Sequence, residues 1–414
     1  MKVLIIGSVW PEPASSAAGG RMAGHLRLFK RQGWEVTYAT PAAPSAYALD
    51  LEALGVEKKT IAMNHGSFDD FLLALRPTLV LFDRFMVEEQ FGWRVAEICP
   101  EAMRVLDTVD LHFLRKARHA ALIAGREPLL SDLQSDTAKR EIASLLRCDM
   151  SLIVSEYERE LLANTFKIDS GLLYYYPLLV PAIGSEWKNT WPAFEARKDF
   201  VFIGNFMHEP NWDAVLYLKQ AIWPRLSSRL PGVKLHVYGA YPSPKAFALH
   251  HAEAGFFMHG RADNSRQAMS EARVCLAPIR FGAGVKGKLV EAMICGTPSV
   301  TTPIGAEGLQ SDFPWSGAVA HDPDSIAEAA ARLYSDKDAW MMARENGVAI
   351  VNRRNAEHLF ESGFVADLLR LQEELTQRRG EHFLGSVLRH QTLNSTKYMS
   401  KWIEEKNRHK PPSP

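Results

Sequence analysis

The sequence predicts an α/β protein of two doubly wound domains, each a parallel sheet with helices on both faces. Three observations carry this. Short apolar runs of strand length alternate with stretches of helical periodicity. The alternation breaks between about 168 and 198 and then resumes. The chain's 414 residues also exceed what one ordinary hydrophobic core holds.

The first run, residues 2–7 (KVLIIG), is continuously apolar, as in a strand buried on both faces. A Pro/Ser/Ala/Gly-rich loop (8–20) and a helix carrying Met22, Leu26 and Phe29 at helical spacing follow, with Gly33 as its stop. Further strands are expected at 34–39, 57–61, 78–83, 104–108 and 150–154, and helices near 67–76 and 87–99. Ser155 and Glu158 have capping-box spacing at the head of the next helix. Residues 168–198 lack periodicity and read as a hinge. The second series has strands at 199–204, 233–239, 255–260, 272–278 and 298–303, with helices at 210–229, 264–271 and 288–295. Helices at 324–336, 337–351 and 355–379 and an amphipathic stretch at 394–408 close the chain, and the last residues, HKPPSP, read as a disordered tail. The expected domains are 1–185, joined by a returning helix at 380–410, and 186–379, with a tail at 409–414.

Lys+Arg and Asp+Glu both number 48, which gives no reason to expect nucleic-acid binding. Cys99, Cys148, Cys275 and Cys295 are far apart and form no zinc or disulfide pattern, so free thiols in a reducing, cytoplasmic setting are expected. The opening apolar run is too short for a secretory leader and reads as a strand. No run approaches the ~20 apolar residues that span a bilayer.

The stretch RFGAGVKGKLVEAMICGTPSVTTP (280–303) carries the most chemistry. Gly282 and Gly284 let a ligand approach the backbone, and a helix start together with Lys286 and Lys288 favours an anion. Lys288 and Glu291 fall on one helical face. Such a surface suits a sugar diphosphate, with the carboxylate on a ribose. An ordinary amphipathic helix with a solvated Lys288–Glu291 pair fits the same residues.

Several ordered motifs decide between these. They are Gly204-Asn205 with Pro210-Asn211, HVYG (236–239), FFMHGRADN (256–264), LAPIRFGAGVKGKLVEAMICGTPSVTT (276–302) and GAEGL (305–309). Together they resemble the retaining glycosyltransferases of family four, of the GT-B architecture: two Rossmann-like domains facing each other across a cleft. The resemblance implies that the second domain binds a nucleoside-diphosphate sugar and the first the acceptor. Glu291 matches the second of two glutamates separated by seven residues and is expected on the donor ribose. The first falls on Ala283, a departure that removes the carboxylate usually assigned to the donor sugar. Lys286 and Lys288 are then the expected cationic partners of the leaving diphosphate.

The same resemblance implies that Gly19 and Gly20 form a small-residue loop facing the diphosphate. It makes His112 and Asp110 candidate sugar contacts, Asp110 serving alternatively to cap the next helix. His208 and Asn211 are candidates near the phosphate or sugar, Asn211 also being a candidate helix cap. Gly204, Asn205, Gly239, Arg261, Asp263, Val285, Glu307 and Gly308 are expected to line the donor site. No metal or other cofactor is implied. The acceptor is expected to be a glycan, a lipid-linked glycan or a protein. Residues 113–126 (FLRKARHAALIAGR) mix apolar and basic side chains, and a peripheral contact with an anionic membrane is weighed against a helix packed on its own domain. A nucleotide-sugar epimerase and a non-catalytic relative that only binds donor are the competing functions, the latter because of Ala283.

Overall fold

The computed structural model describes residues 1–408, apart from the side chains of 391–393. The tail expected at 409–414 lies outside the described residues. The first sheet contains β1 (Lys2–Ile6), β2 (Glu35–Thr40), β3 (Glu57–Thr60), β4 (Leu79–Asp83), β5 (Met103–Asp107), β6 (Met150–Ile153) and β7 (Leu173–Tyr175). Their spatial order is β3-β2-β1-β4-β5-β6-β7, and every pairing is parallel.

The second sheet contains β8 (Lys198–Asn205), β9 (Leu235–Ala240), β10 (Phe256–Gly260), β11 (Ala272–Ala277), β12 (Ser299–Thr301) and β13 (Gly317–Val319). Its order is β10-β9-β8-β11-β12-β13, again all parallel. In both sheets the order reverses beside the first strand, which is where such folds place their ligands, at the carboxyl ends of the strands.

The continuous apolar runs are explained by burial on both faces. Leu4, Ile6, Val80, Phe82 and Leu106 enter one core of the first sheet. Their neighbours Val3, Ile5, Leu79, Leu81 and Val105 enter the other. Phe200, Phe202, Leu235 and Val237 fill one face of the second sheet, and Val201, Cys275 and Ala277 the opposite one.

Three expectations are corrected. Part of the segment expected as a hinge is the edge strand β7, whose three residues are too few to show a period. The stretch 210–229 is divided into Glu209–Tyr217 and Trp223–Arg229 by a π turn at Leu218–Ile222. Pro224, at the start of the second piece, has no N–H with which to continue the first one's ladder. The return to the first domain begins well before residue 380: the helix Glu361–Glu381 packs Phe364, Leu368, Leu371 and Leu375 against Val3 and Ile5. The next helix, Phe383–Arg408, continues on the same domain against α3 (Phe85–Ile98).

The cleft-facing end of the first sheet is pinned by a buried charge cluster. Arg21, on the helix Ala17–Arg31, donates through Nε to both oxygens of Asp107 at 3.0 and 2.8 Å. Its Nη1 reaches the carbonyls of Tyr176 and Pro177 at 2.8 Å each. His25 Nε2 lies 2.9 Å from Asp107. Burial works against the Asp107 carboxylate, but Arg21 and His25 hold its pKa far below the usual range. The cluster joins the first helix, β5 and the exit from β7. Asp107→Ala strands Arg21 in the interior and is expected to cost about 3–5 kcal/mol, read as a lower urea midpoint for the first domain.

Candidate active site between the domains

The stretch 282–291 forms the floor of the interdomain cleft. Gly282 to Lys286 make a loop, and Gly287–Ile294 the helix after it. The loop is seated on the first domain by a carboxylate. Glu158, completely buried, accepts hydrogen bonds at Oε1 from the Gly284 N–H at 2.8 Å and the Leu111 N–H at 3.0 Å. Its Oε2 has no partner among the described residues. The capping-box expectation is half realised: Ser155 Oγ accepts from the Glu158 N–H, but the Glu158 side chain crosses to the other domain.

The glycines of this loop serve that seating. Gly284 has φ of +63°, and a Cβ there would fall 2.8 Å from the Asp110 Cβ and 3.0 Å from the Val109 carbonyl oxygen. A Cβ on Gly287 would fall 2.3 Å from the Cβ of Ala17, in the first turn of the helix Ala17–Arg31. Gly19 and Gly20 lie in that same turn, not in the loop expected for them. Ser16 caps the turn, its Oγ accepting the Gly19 N–H.

The two lysines are held without carboxylate partners. Lys288 Nζ donates to Asn211 Oδ1 at 2.5 Å, and Asn211 Nδ2 is anchored on the Asn205 carbonyl at 2.9 Å. Asn211 therefore positions Lys288 and does not cap its own helix, whose N-cap is His208. Lys286 Nζ donates to the Gly284 carbonyl at 2.8 Å. Burial pushes Lys288 down to about 8 and also lowers Lys286, against the pull of Glu307 and Glu158. Among the described residues neither ammonium group forms an ion pair within 4.0 Å.

Asp110 and His112 stand across from the lysines. Val109, at φ +61°, turns the chain between β5 and α4 (His112–Ile123) and presents Asp110 to the cleft. Asp110 caps no helix; it pairs with Arg115 and lies 3.5 Å from His112 Nε2. Burial raises its pKa, but Arg115 and then His112 hold the carboxyl below its ordinary range. Burial pushes His112 down to about 4, so it is neutral at pH 7; His208 is exposed at the rim of the cleft. The head of α4 is capped from a distance by Glu141, which accepts the His112 and Phe113 N–H groups at 3.1 and 3.0 Å.

Other expected donor residues divide between the cleft and its rim. Glu291 accepts from Ser265 Oγ at 2.7 Å. Gly239 lies against the Phe206 ring. Arg261 donates to Ser15 Oγ at 2.9 Å and lies 3.7 Å over the Tyr47 ring, bridging the domains. Glu307 forms a two-point pair with Arg118 at 2.8 and 2.7 Å, and Arg118 also donates to the Gly282 carbonyl at 2.8 Å. Gly308 packs on Ser155. Val285 adjoins the apolar core beneath the helix Gly287–Ile294.

The stretch 113–126, weighed as a membrane contact or as a helix packed on its own domain, uses much of its apolar face internally. Phe113 and Leu114 are buried in the first domain and Arg118 is paired with Glu307; Ile123 is exposed. Glu158, Arg118, Arg115 and the Glu12–Tyr241 contact (2.7 Å) escaped sequence reasoning as parts of the cleft. Arg118 was visible only as one charge in a basic run. Among the described residues no group of three or more His, Cys, Asp or Glu is placed to hold a metal ion.

Residues 197–336, which carry this floor, match the family model described as Glycosyl transferases group 1. The second domain is that of a group 1 glycosyltransferase. No curated protein matches the chain. Solved structures give the same architecture for the whole molecule. Anabaena HepE in complex with UDP superposes with a TM-score of 0.65 at 13% identity, over 90% of this chain and 100% of that one. Sucrose-phosphate synthase from Thermosynechococcus elongatus gives 0.64 at 17%, over 90% and 99%. A glycosyltransferase from Rickettsia africae gives 0.62 at 10%, over 91% and 98%. The glycosyltransferase thus has the GT-B fold.

Two consequences of this packing are testable. Gly284→Ala forces a Cβ into Asp110 at a left-handed φ and is expected to destabilise by about 1–3 kcal/mol, read as a lower melting temperature. His112 remains neutral in the fold while unfolded histidines take up protons. Stability should therefore fall as pH drops from about 6.5 towards about 4, and His112→Asn should flatten that fall in melts taken across the range.

Proposed function

We propose that this glycosyltransferase moves a sugar, with retention, from a nucleoside-diphosphate donor to an acceptor hydroxyl. The observation that carries the proposal is the pair of ammonium groups of Lys286, buried, and Lys288, half-buried, neither with a carboxylate partner, at the head of the helix Gly287–Ile294. Two cations side by side, with little water around them and no carboxylate bound, call for an anion between them and the facing domain. HepE, one of the structural neighbours, binds UDP and UDP-glucose, which supports a uridine nucleotide as the first donor to try.

In this reading the diphosphate rests against Lys286, Lys288 and the free N–H groups of the helix start. As the sugar–phosphate bond breaks, negative charge grows on the leaving oxygen, and the ammonium groups stabilise it without needing to move. Glu291 grips the ribose. Neutral His112 and the Asp110 carboxylate face the transferring sugar from the first domain, where they hydrogen-bond its hydroxyls. The leaving oxygen takes the acceptor proton on the same face, which gives retention. The acceptor is a glycan, a lipid-linked glycan or a protein. The free thiols of Cys99, Cys148, Cys275 and Cys295 fit a cytoplasmic setting. Among the described residues no helix is long and apolar enough to cross a membrane.

Transfer and slow hydrolysis of UDP-sugars are the direct assay. Lys288→Ala should lower turnover by roughly two orders of magnitude or more, the cost of removing one transition-state donor, with folding intact. Unchanged rates would refute the diphosphate role. Glu291→Ala should weaken donor binding, and an unchanged dissociation constant would remove the ribose contact. The Lys288 cation is present below about pH 8 and lost above it, so kcat/KM should decline on the alkaline side of that value. Donor binding with no hydrolysis or transfer across a broad sugar panel would instead favour the non-catalytic alternative.

A further inference from the structure

A cavity of about 500 Å³ lies on the first domain, between α3, the start of β5 and the two C-terminal helices. Arg104, Arg379, Arg389 and Lys397 line it, and Trp93 and Pro100 contribute an apolar side. Two of the four cations are already matched. Lys397 pairs with Glu97 at 2.9 Å, and Arg379 binds both oxygens of Asp149 at 2.7 Å.

The other two are matched only in part. Arg104 is 6% exposed, and its Nε donates no hydrogen bond among the described residues. It shares the Asp149 carboxylate, at 3.6 Å, with Arg379, which holds it closer at 2.7 Å. Among the described residues Arg389 donates one hydrogen bond, to the Arg147 carbonyl at 3.3 Å. The Trp93 indole N–H, also buried, has no acceptor either. Burial and then the neighbouring Arg104 push Arg389 down to about 10, as guanidinium groups crowd without enough counter-charge.

We propose that this cavity is a second anion site, separate from the interdomain cleft, that takes the phosphate group of a small phosphate monoester. Arg104 and Arg389 are the charged donors, a guanidinium being matched to phosphate by its fixed fork of N–H groups. Trp93 and Pro100 form a wall for the organic part. The volume exceeds that of inorganic phosphate, so the ester carries more than the phosphate group. That ester is either a free metabolite or the headgroup of a lipid. Because the donors come from β5 and from a C-terminal helix, the bound ligand also clamps that helix to the first domain.

The test uses the full chain and two probes. Calorimetric titration with glycerol 3-phosphate at constant ionic strength should show saturable binding. Arg104→Met and Arg389→Met should each weaken it roughly 10- to 100-fold, as expected for loss of charge-assisted hydrogen bonds. Lys288→Ala, which alters only the cleft, should leave it unchanged. Co-sedimentation with phosphatidylcholine vesicles containing phosphatidic acid, sensitive to the same substitutions, assigns the ester to a lipid; binding of the free ester alone assigns it to a metabolite. Arg389 is half-exposed on its helix, so its variant keeps the test decisive where Arg104→Met fails to fold. No binding of either probe, binding that survives both arginine substitutions, or binding abolished by Lys288→Ala overturns the proposal.

Discussion

The cleft depends on how the loop 282–286 is seated on the first domain, and the buried carboxylate of Glu158 sets that seating. One oxygen accepts N–H groups from both domains, Leu111 and Gly284, and so fixes the head of α4 against the glycine loop. Burial opposes the charge on Glu158 and raises its pKa, while the two N–H bonds and the lysine beside it favour the ionised form. A buried charge of this kind is kept only where its partners are in place, so it strongly specifies one arrangement. Around it, Arg118–Glu307, Arg261–Ser15 and Tyr241–Glu12 add further ties between the domains.

That seating explains an otherwise puzzling replacement. Family resemblance leads one to expect an acidic side chain at residue 283, and this chain has alanine. The structure packs Ala283 against the apolar core of the first domain, where a carboxylate would be costly. The carboxylate nearest this loop comes instead from the opposite domain, as Glu158, and binds the next residue's N–H. The lysines of the same loop are left without ion pairs. A fold optimised only for stability would give such ammonium groups carboxylate partners; leaving each with a neutral acceptor alone is the kind of strain found at binding sites.

Much of this was legible in the chain. Continuous apolar runs such as VLII and LVLF predict strands buried on both faces, and Val3 to Ile6 and Leu79 to Phe82 are indeed wholly buried. The Gly-x-Gly-x-Lys-x-Lys spacing marked the cleft floor, and the ordered motifs of the second domain marked the family. What remained hidden rests on long-range contacts. Glu158 has the spacing of a local cap, and only the tertiary fold shows that its side chain reaches residue 284. Phe364 to Leu375 are periodic in any helix, and periodicity does not say which domain they cover. Strands as short as β7 and β13 leave no period to read, and a basic run such as 113–126 gives no hint that its arginine is paired with a distant glutamate.

The central claim is that a nucleotide donor binds where the loop 282–291 meets the first domain. Amide hydrogen exchange followed by mass spectrometry, with and without saturating UDP, tests it at the level of peptides. The account predicts slower exchange at 282–291 and at the first turn of the helix Ala17–Arg31, with little change at the outer edge of either sheet. Nucleotide binding that leaves both segments unprotected, or that protects a different surface, would contradict it.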